Sequence, residues 1–190
     1  MADSAVVATV AETERLRLRT WGDGDADAFY AVMNHEPVMR YLGGVQTRDH
    51  WQMVVDRVVA YQAEFGYTFW IVERRDSREL LGWCGLKRIN YPGAPNPGDM
   101  EIGWRFRESA WGQGIAKEAA IASLDLAFGR FKAPFVVAVT FAVNRASWGL
   151  MERLGMRYMP ELDFVDPRYA DLGTTKQWRL DAADWNGAAP

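Results

Sequence analysis

The stretch Met100–Phe128 constrains this chain more than any other, because an alternating strand runs through two closely spaced glycines into a helix. From Met100 to Arg107, apolar Ile102, Trp104 and Phe106 alternate with Glu101, Gly103 and Arg105, the period of a half-buried strand. Trp111-Gly112-Gln113-Gly114 then forms a tight loop. Beyond it Ala116, Ala120, Leu124 and Phe128 line one helical face to about Phe128. Two glycines at a strand-to-helix junction let consecutive N–H groups point into one concavity. The first helical N–H groups have no intrahelical partners and together carry roughly half a positive charge. Such a corner binds phosphate; the plainer reading is a glycine-tight turn with no ligand.

The spacing decides which phosphate ligand fits. Walker-A loops place four residues between their glycines and follow with Lys and Ser/Thr, whereas this chain has Gly112, Gly114 and Lys117-Glu118. The dinucleotide fingerprint G-x-G-x-x-G needs a glycine where Lys117 stands. The pattern Gln/Arg-x-x-Gly-x-Gly/Ala does fit Trp111-Gly112-Gln113-Gly114-Ile115-Ala116, with Trp111 departing at the first position. This segment resembles the acyl-CoA pyrophosphate loop of the GNAT-type N-acetyltransferases. Its Trp-Gly-x-Gly form, followed by Glu118-Ala119, is similar to the branch that includes the ribosomal-protein N-terminal acetyltransferases.

With 190 residues, 49% hydrophobic and 25% charged, the chain suits one globular domain with a full core. The expected boundaries are a flexible tail over residues 1–12, a domain over 13–182 and a C-terminal tail over 183–190. A net charge of -3 provides no global basic field, which argues against nucleic-acid binding. No apolar run approaches the roughly 18–20 residues of a membrane span, and the start MADSAVVATVAE lacks the basic opening of a signal peptide. The single cysteine, Cys84, sits in an apolar strand and reads as a buried inert thiol rather than a nucleophile. The chain therefore reads as cytoplasmic.

In chain order, Thr13–Thr20 is a first strand in which Arg15, Arg17 and Arg19 form a charged face: a solvated face, or an anion site. Asp23, Asp25 and Asp27 match the opening of a calcium loop, but Ala28 and Asn34 stand where its glycine and glutamate belong. A carboxylate-rich helix start accounts for them, and no metal is expected. Helices follow over Ala26–Asn34 and about Arg48–Glu64, the latter with Trp51, Val54, Val55, Val58, Val59 and Gln62 on its apolar side. Tyr41–Gly44 bridges them. Tyr67–Glu73 and Leu80–Ile89 read as a hairpin, and Asn90–Asp99 as a Pro- and Gly-rich rim. After the central helix come a strand buried on both faces, Phe135–Ala142, and a helix from Asn144 to Gly155. Strands at Met156–Glu161 and Thr174–Leu180 flank the acidic loop Leu162–Gly173. The order β-α-α-β-β-β-α-β-α-β-β predicts an α/β domain with a mixed, largely antiparallel twisted sheet flanked by helices.

That order resembles the whole GNAT fold from about Arg15 to Leu180. A second segment, Asn144-Arg145-Ala146-Ser147 through Leu154-Gly155-Met156, is similar to the family's Asn-x-x-Ala/Ser…Leu-Gly-Phe. The resemblance implies that acetyl-CoA is the acyl donor. Backbone groups of Trp104, Arg105 and Phe106 would pair with its pantetheine arm. The loop Trp111, Gly112, Gln113, Gly114, Ile115, Ala116 and Lys117 would take its pyrophosphate, and Asn144 would contact pantetheine or the leaving thiol. Asn144 is equally a plain helix N-cap.

Acetylating an amine also requires proton handling, since a lysine-like amine has a pKa of about 10.4 and an α-amine about 8. Glu101 resembles the strand glutamate that some members use as base; the alternative is an ion pair with Arg105 or a neighbouring strand's arginine. Many members place a tyrosine where this chain has Met151, so the usual proton donor to the thiolate is missing. Ser147 takes that role by resemblance, or else bonds the backbone of its own first turn. His35 and His50 lie away from the loop in sequence and read as structural or surface residues. The expectation is direct transfer, in a ternary complex, to a small-molecule or protein amine. The rival is a catalytically silent acyl-CoA-binding module. The acidic loop suits a cationic acceptor, and exposed tryptophans among the nine would serve a homodimer face.

Overall fold

The computed structural model describes residues 7–187. Strands β1 (Thr9–Glu12) and β2 (Leu16–Arg19) lead into helices α1 (Asp25–Met33), α2 (Glu36–Met39) and α3 (Arg48–Phe65). Strands β3 (Phe69–Arg74), β4 (Leu80–Arg88) and β5 (Met100–Phe106) precede helix α4 (Ile115–Asp125). Strand β6 (Phe135–Phe141), helix α5 (Arg145–Arg153), and strands β7 (Arg157–Tyr158) and β8 (Thr175–Asp181) complete the chain. The sheet order is β1-β2-β3-β4-β5-β6-β8-β7. Strands β1 to β4 pair antiparallel in succession, as do β6 with β8 and β8 with β7. Strand β5 runs parallel to β6, with Glu101 opposite Val137. This is the mixed α/β sheet that the periodicities predict.

The chain packs as two compact units, one formed by residues up to Gly85 with Trp104–Ala122, the other by Leu86–Gly103 with Ser123 onward. In the first unit, Thr47 caps α3 by accepting from the His50 N–H at 3.2 Å. Gly66, at φ 75°, ends the helix in the left-handed region. Helix α3 buries Trp51, Val55 and Val58 in a core with Trp21, Phe29, Met33, Ile71 and Trp83. The Phe29 ring lies 5.1 Å from both Trp21 and Trp83 and 5.4 Å from Trp51. Rings this buried stabilise the fold by about 2–3 kcal/mol each. Gly82 is required by close approach: a Cβ there would lie 2.1 Å from the Arg105 carbonyl oxygen.

In the second unit, Val136, Val137 and Ala138 of β6 are fully buried, as expected for a continuous apolar strand. Helix α5 adds Leu150, Met151 and Leu154 to that interior.

Several expectations are corrected. Residues 9–12, assigned to a flexible tail, form the edge strand β1 on β2; residues 1–6 lie outside the described residues. The presumed C-terminal tail is tied down as far as Trp185, whose indole N–H donates to Asp125 at 2.9 Å and whose ring packs 6.0 Å from Phe128. Helix α4 stops at Asp125 and widens into a π turn, Leu126–Arg130, with the Phe131 N–H reaching the Leu126 carbonyl. Val59 is not part of the α3 core face but 43% exposed. The strand expected over Met156–Glu161 shrinks to Arg157–Tyr158, because Pro160 starts a short 3-10 turn.

The arginine face of β2 is neither solvated nor an open anion site. Arg17 and Arg19 bond the buried Glu73 at 3.0 and 2.8 Å, and Arg19 also grips Asp25 at 2.7 and 2.9 Å. Burial alone would raise the Glu73 carboxyl, but Arg19, Arg78 and Arg17 together hold it below the usual carboxylate range. Asp25 also accepts from the Gly22 N–H at 2.7 Å, so its carboxylate is an ion-pair and turn group. Among the described residues no cluster of His, Cys, Asp and Glu is arranged to hold a metal.

Candidate functional site

In the first unit, β5 delivers the chain through a 3-10 turn, Glu108–Ala110, to the glycine corner. Gly112 and Gly114 have φ 71° and 76°, the left-handed region that glycine enters without steric cost. Nothing lies within 4 Å of where a Gly112 Cβ would stand. Helix α4 begins directly after it, and the Glu118 N–H closes the first turn on the Gly114 carbonyl at 3.0 Å. These features fit a diphosphate: bare backbone, unpaired first-turn N–H groups and a positive helix end. Lys117 is exposed beside them.

The corner is also braced. Arg15 donates to the Gln113 carbonyl at 2.9 Å, and Arg74 to the Gln113 side-chain oxygen at 3.0 Å. The Gln113 amide in turn donates to the Ser109 carbonyl at 2.6 Å. Glu118 anchors α4 by accepting from the Arg15 N–H at 3.0 Å and its Nε at 2.6 Å, and from the Thr13 hydroxyl. Burial would raise the Glu118 carboxyl, but these donors bring it below its ordinary value. Trp111, at the position where the motif departs, donates its indole N–H to the Phe106 carbonyl at 2.9 Å. That bond ties the loop to the end of β5. Trp111 is exposed, and Trp104, Trp148 and Trp185 are half-buried.

Arg105, on β5, lies over the faces of Trp83 and Trp51 at 4.7 and 5.4 Å, with the Met39 sulfur 3.7 Å from its Nη1. It is not the partner of Glu101. In the second unit, Glu101 is 3% exposed rather than on an open polar face. Its Oε1 accepts from the Tyr91 hydroxyl at 2.8 Å, and Lys87 Nζ of β4 lies 3.2 Å from Oε2. Lys87 and Glu101 form a contact ion pair at Oε2, an oxygen closed off from solvent. Burial raises the Glu101 carboxyl above its ordinary value, while Lys87 and then Tyr91 pull it back. The ion pair expected with an arginine is thus made with Lys87, and Tyr91 adds a hydrogen bond.

Asn144 caps α5, its side-chain oxygen accepting from the Ser147 N–H at 3.4 Å. The cap leaves the Ser147 hydroxyl at the helix start, half-buried. Met151 is 1% exposed and packs in the core. In the acidic loop Asp166 binds Arg168 at 2.6 Å, while Asp163 accepts from the Tyr158 hydroxyl and the Gln177 N–H. Glu161 and Asp171 are exposed. Cys84 is fully buried, as expected of an inert thiol. His35 bonds the Ala31 carbonyl and starts α2, and His50 is exposed on α3.

Four residues that bear on this chemistry escaped the sequence: Arg15 and Arg74, which brace the loop, and Lys87 and Tyr91, which flank Glu101. Only Lys87 left a trace. It continues the every-second-residue set Leu81, Trp83 and Gly85 along a strand that is otherwise apolar.

Comparison with known proteins agrees with the fold. The family model for the acetyltransferase (GNAT) domain matches residues 15–157. The chain is 32% identical over 147 residues to the uncharacterized protein YkkB of Bacillus subtilis, covering 77% of this chain and 84% of that protein. An acetyltransferase from Agrobacterium tumefaciens superposes with a TM-score of 0.75 at 27% identity, over 90% of this chain and 92% of that one. RimL, a ribosomal L7/L12 alpha-N-protein acetyltransferase solved in complex with coenzyme A, superposes with a TM-score of 0.74 over 94% and 100% of the two chains. At 16% identity that last likeness is one of fold. Among the described residues no helix is long and apolar enough to cross a membrane.

Proposed function

This chain belongs to the GNAT acetyltransferase family, and on that premise we propose that it moves the acetyl group of acetyl-CoA directly to a primary amine within a ternary complex. The observation that carries the reading is the glycine corner at the start of α4, with Gly112 and Gly114 both left-handed and Gln113 held by Arg15 and Arg74. A loop fixed before the ligand arrives spends less binding energy on ordering. Protein α-amines are favoured as acceptors by the Trp-Gly-x-Gly form of the loop, which resembles the ribosomal-protein branch. An α-amine also needs the least help in losing its proton.

Acetyl-CoA supplies an acyl carbon activated as a thioester. The amides of Gly112–Lys117 hold its pyrophosphate, and the backbone of Trp104–Phe106 pairs with its pantetheine. Asn144 contacts the thiol end through the face of its amide not used in capping Ser147. Glu101 takes the ammonium proton through a water; burial raises its affinity for that proton and so brings base and amine closer in strength. The free amine nitrogen then attacks the acyl carbon, with a strand N–H near Trp104 polarising the carbonyl. As the C–N bond forms the C–S bond breaks; the Ser147 hydroxyl donates to the departing sulfur, and the second proton shed by the nitrogen restores the hydroxyl. Radiolabelled acetyl-CoA mixed with enzyme alone tests direct transfer. The expected result is no acetyl-enzyme, and label retained on the protein after denaturation would overturn it. Thiol release across a panel of peptides, amino acids and polyamines identifies the acceptor. Acetyl-CoA binding with no turnover anywhere in the panel would favour a silent binding module.

A further inference from the structure

Buried Glu101 of β5 meets half-buried Lys87 of β4 and half-buried Tyr91 of the loop Asn90–Asp99. Lys87 is not a surface lysine that happens to lie nearby. Its side chain is 17% exposed, and its ammonium sits 3.8 Å over the Tyr91 ring, 3.2 Å from Asn90 Oδ1 and 3.2 Å from Glu101 Oε2. Tyr91 in turn stacks on Phe164 at 6.0 Å, so its hydroxyl is held from behind. A carboxylate this buried is expensive unless paired. Here Tyr91 donates to Oε1 and the Lys87 ammonium faces Oε2, so both oxygens are held.

We infer that Lys87 and Tyr91 are positioning residues for acetyl transfer, fixing the buried Glu101 carboxylate from two sides. This rests on the reading of Glu101 as the base. The groups that bear on Glu101 are few. Strand β4 presents Lys87, the loop presents Tyr91, and β6 places apolar Val137 opposite. Arg168 and Tyr169 act on Tyr91. Burial and the Glu101 charge push the Tyr91 hydroxyl well above its ordinary value, so it stays a donor while Glu101 titrates. Both neighbours stabilise the ionised carboxylate. Removing either leaves burial less opposed, and the carboxyl then keeps its proton to higher pH.

The test is a carbon-13 carboxyl NMR titration of the full chain, with the Glu101 resonance assigned by its loss in Glu101→Gln. Lys87→Met and Tyr91→Phe are each expected to raise the Glu101 midpoint, Lys87→Met by about one pH unit or more, equivalent to a tenfold gain in proton affinity. Lys87→Arg, which keeps the charge, should return the midpoint towards wild type, a rescue that a merely space-filling role for Lys87 would not produce. Unchanged midpoints in both folded variants would overturn the inference and leave Glu101 free to be the base. Shifted midpoints together with full turnover in Glu101→Gln would overturn the base reading and this inference with it. Shifted midpoints with a matching upward move in the acid limb of kcat/KM would support both.

Discussion

Replacing Gly114 with valine separates the ligand role of the glycine corner from its role in the fold. Gly114 sits at φ 76°, where a β-branched residue costs roughly 1–2 kcal/mol. Space adds little, because the nearest atom to a new Cβ is the tip of Arg15 at 3.4 Å. Against a typical stability of about 5–15 kcal/mol, the variant remains folded. The isopropyl group nevertheless projects from backbone that must touch phosphate oxygens. Losing two charge-assisted hydrogen bonds, at about 1.5–3 kcal/mol each, raises the acetyl-CoA Kd roughly a hundredfold or more. Isothermal titration with acetyl-CoA reads the affinity, and a thermal melt reads the fold. Gly114→Asn serves as the companion, because asparagine tolerates the left-handed region and isolates bulk from strain. It should melt close to wild type and still bind weakly. A folded valine variant with a Kd within about twofold of wild type would refute the reasoning.

Three other outcomes follow from the same geometry. Arg19→Met strips the main cation from buried Glu73 and from Asp25, and urea unfolding at pH 7 should show a loss of about 3–5 kcal/mol; an unchanged midpoint would contradict the pairing. Because the Glu73 carboxyl is held low in the fold, its contribution is present above the ordinary carboxylate range and lost as pH falls through the folded value. Glu73→Gln should therefore flatten the decline of the urea midpoint below pH 5, and an equally steep decline would count against it. Ser147→Ala removes the hydroxyl but keeps the N–H that bonds Asn144. It should lower kcat about a hundredfold with the acetyl-CoA Kd unchanged, and full kcat would dismiss Ser147 as the donor.

The parts of the fold that are legible in the sequence are those set by local pattern. The alternation of Met100–Phe106, the glycine pair before Ile115 and the Asn144 cap all involve neighbours in sequence, and each is found where the pattern puts it. What stayed hidden depends on partners distant in the chain. Thr9–Glu12 is a strand because β2 offers it an edge, and no propensity in TVAE announces that. Arg15, Arg17 and Arg19 looked alike, yet Arg15 serves the loop while the other two serve Glu73. The partners of Glu101 were hidden for the same reason: the ion-pair reading looked to an arginine, whereas Lys87 and, from a loop without pattern, Tyr91 reach it.

Amide chemical-shift mapping of the labelled chain, titrated with coenzyme A, puts the proposed nucleotide site to its most direct test. The N–H signals of Gly112 through Lys117 should move first and furthest, with those of Trp104 to Phe106 following as the pantetheine arm settles. Saturable binding that leaves Gly112 and Gly114 unmoved while other amides shift would place the ligand elsewhere and contradict the account.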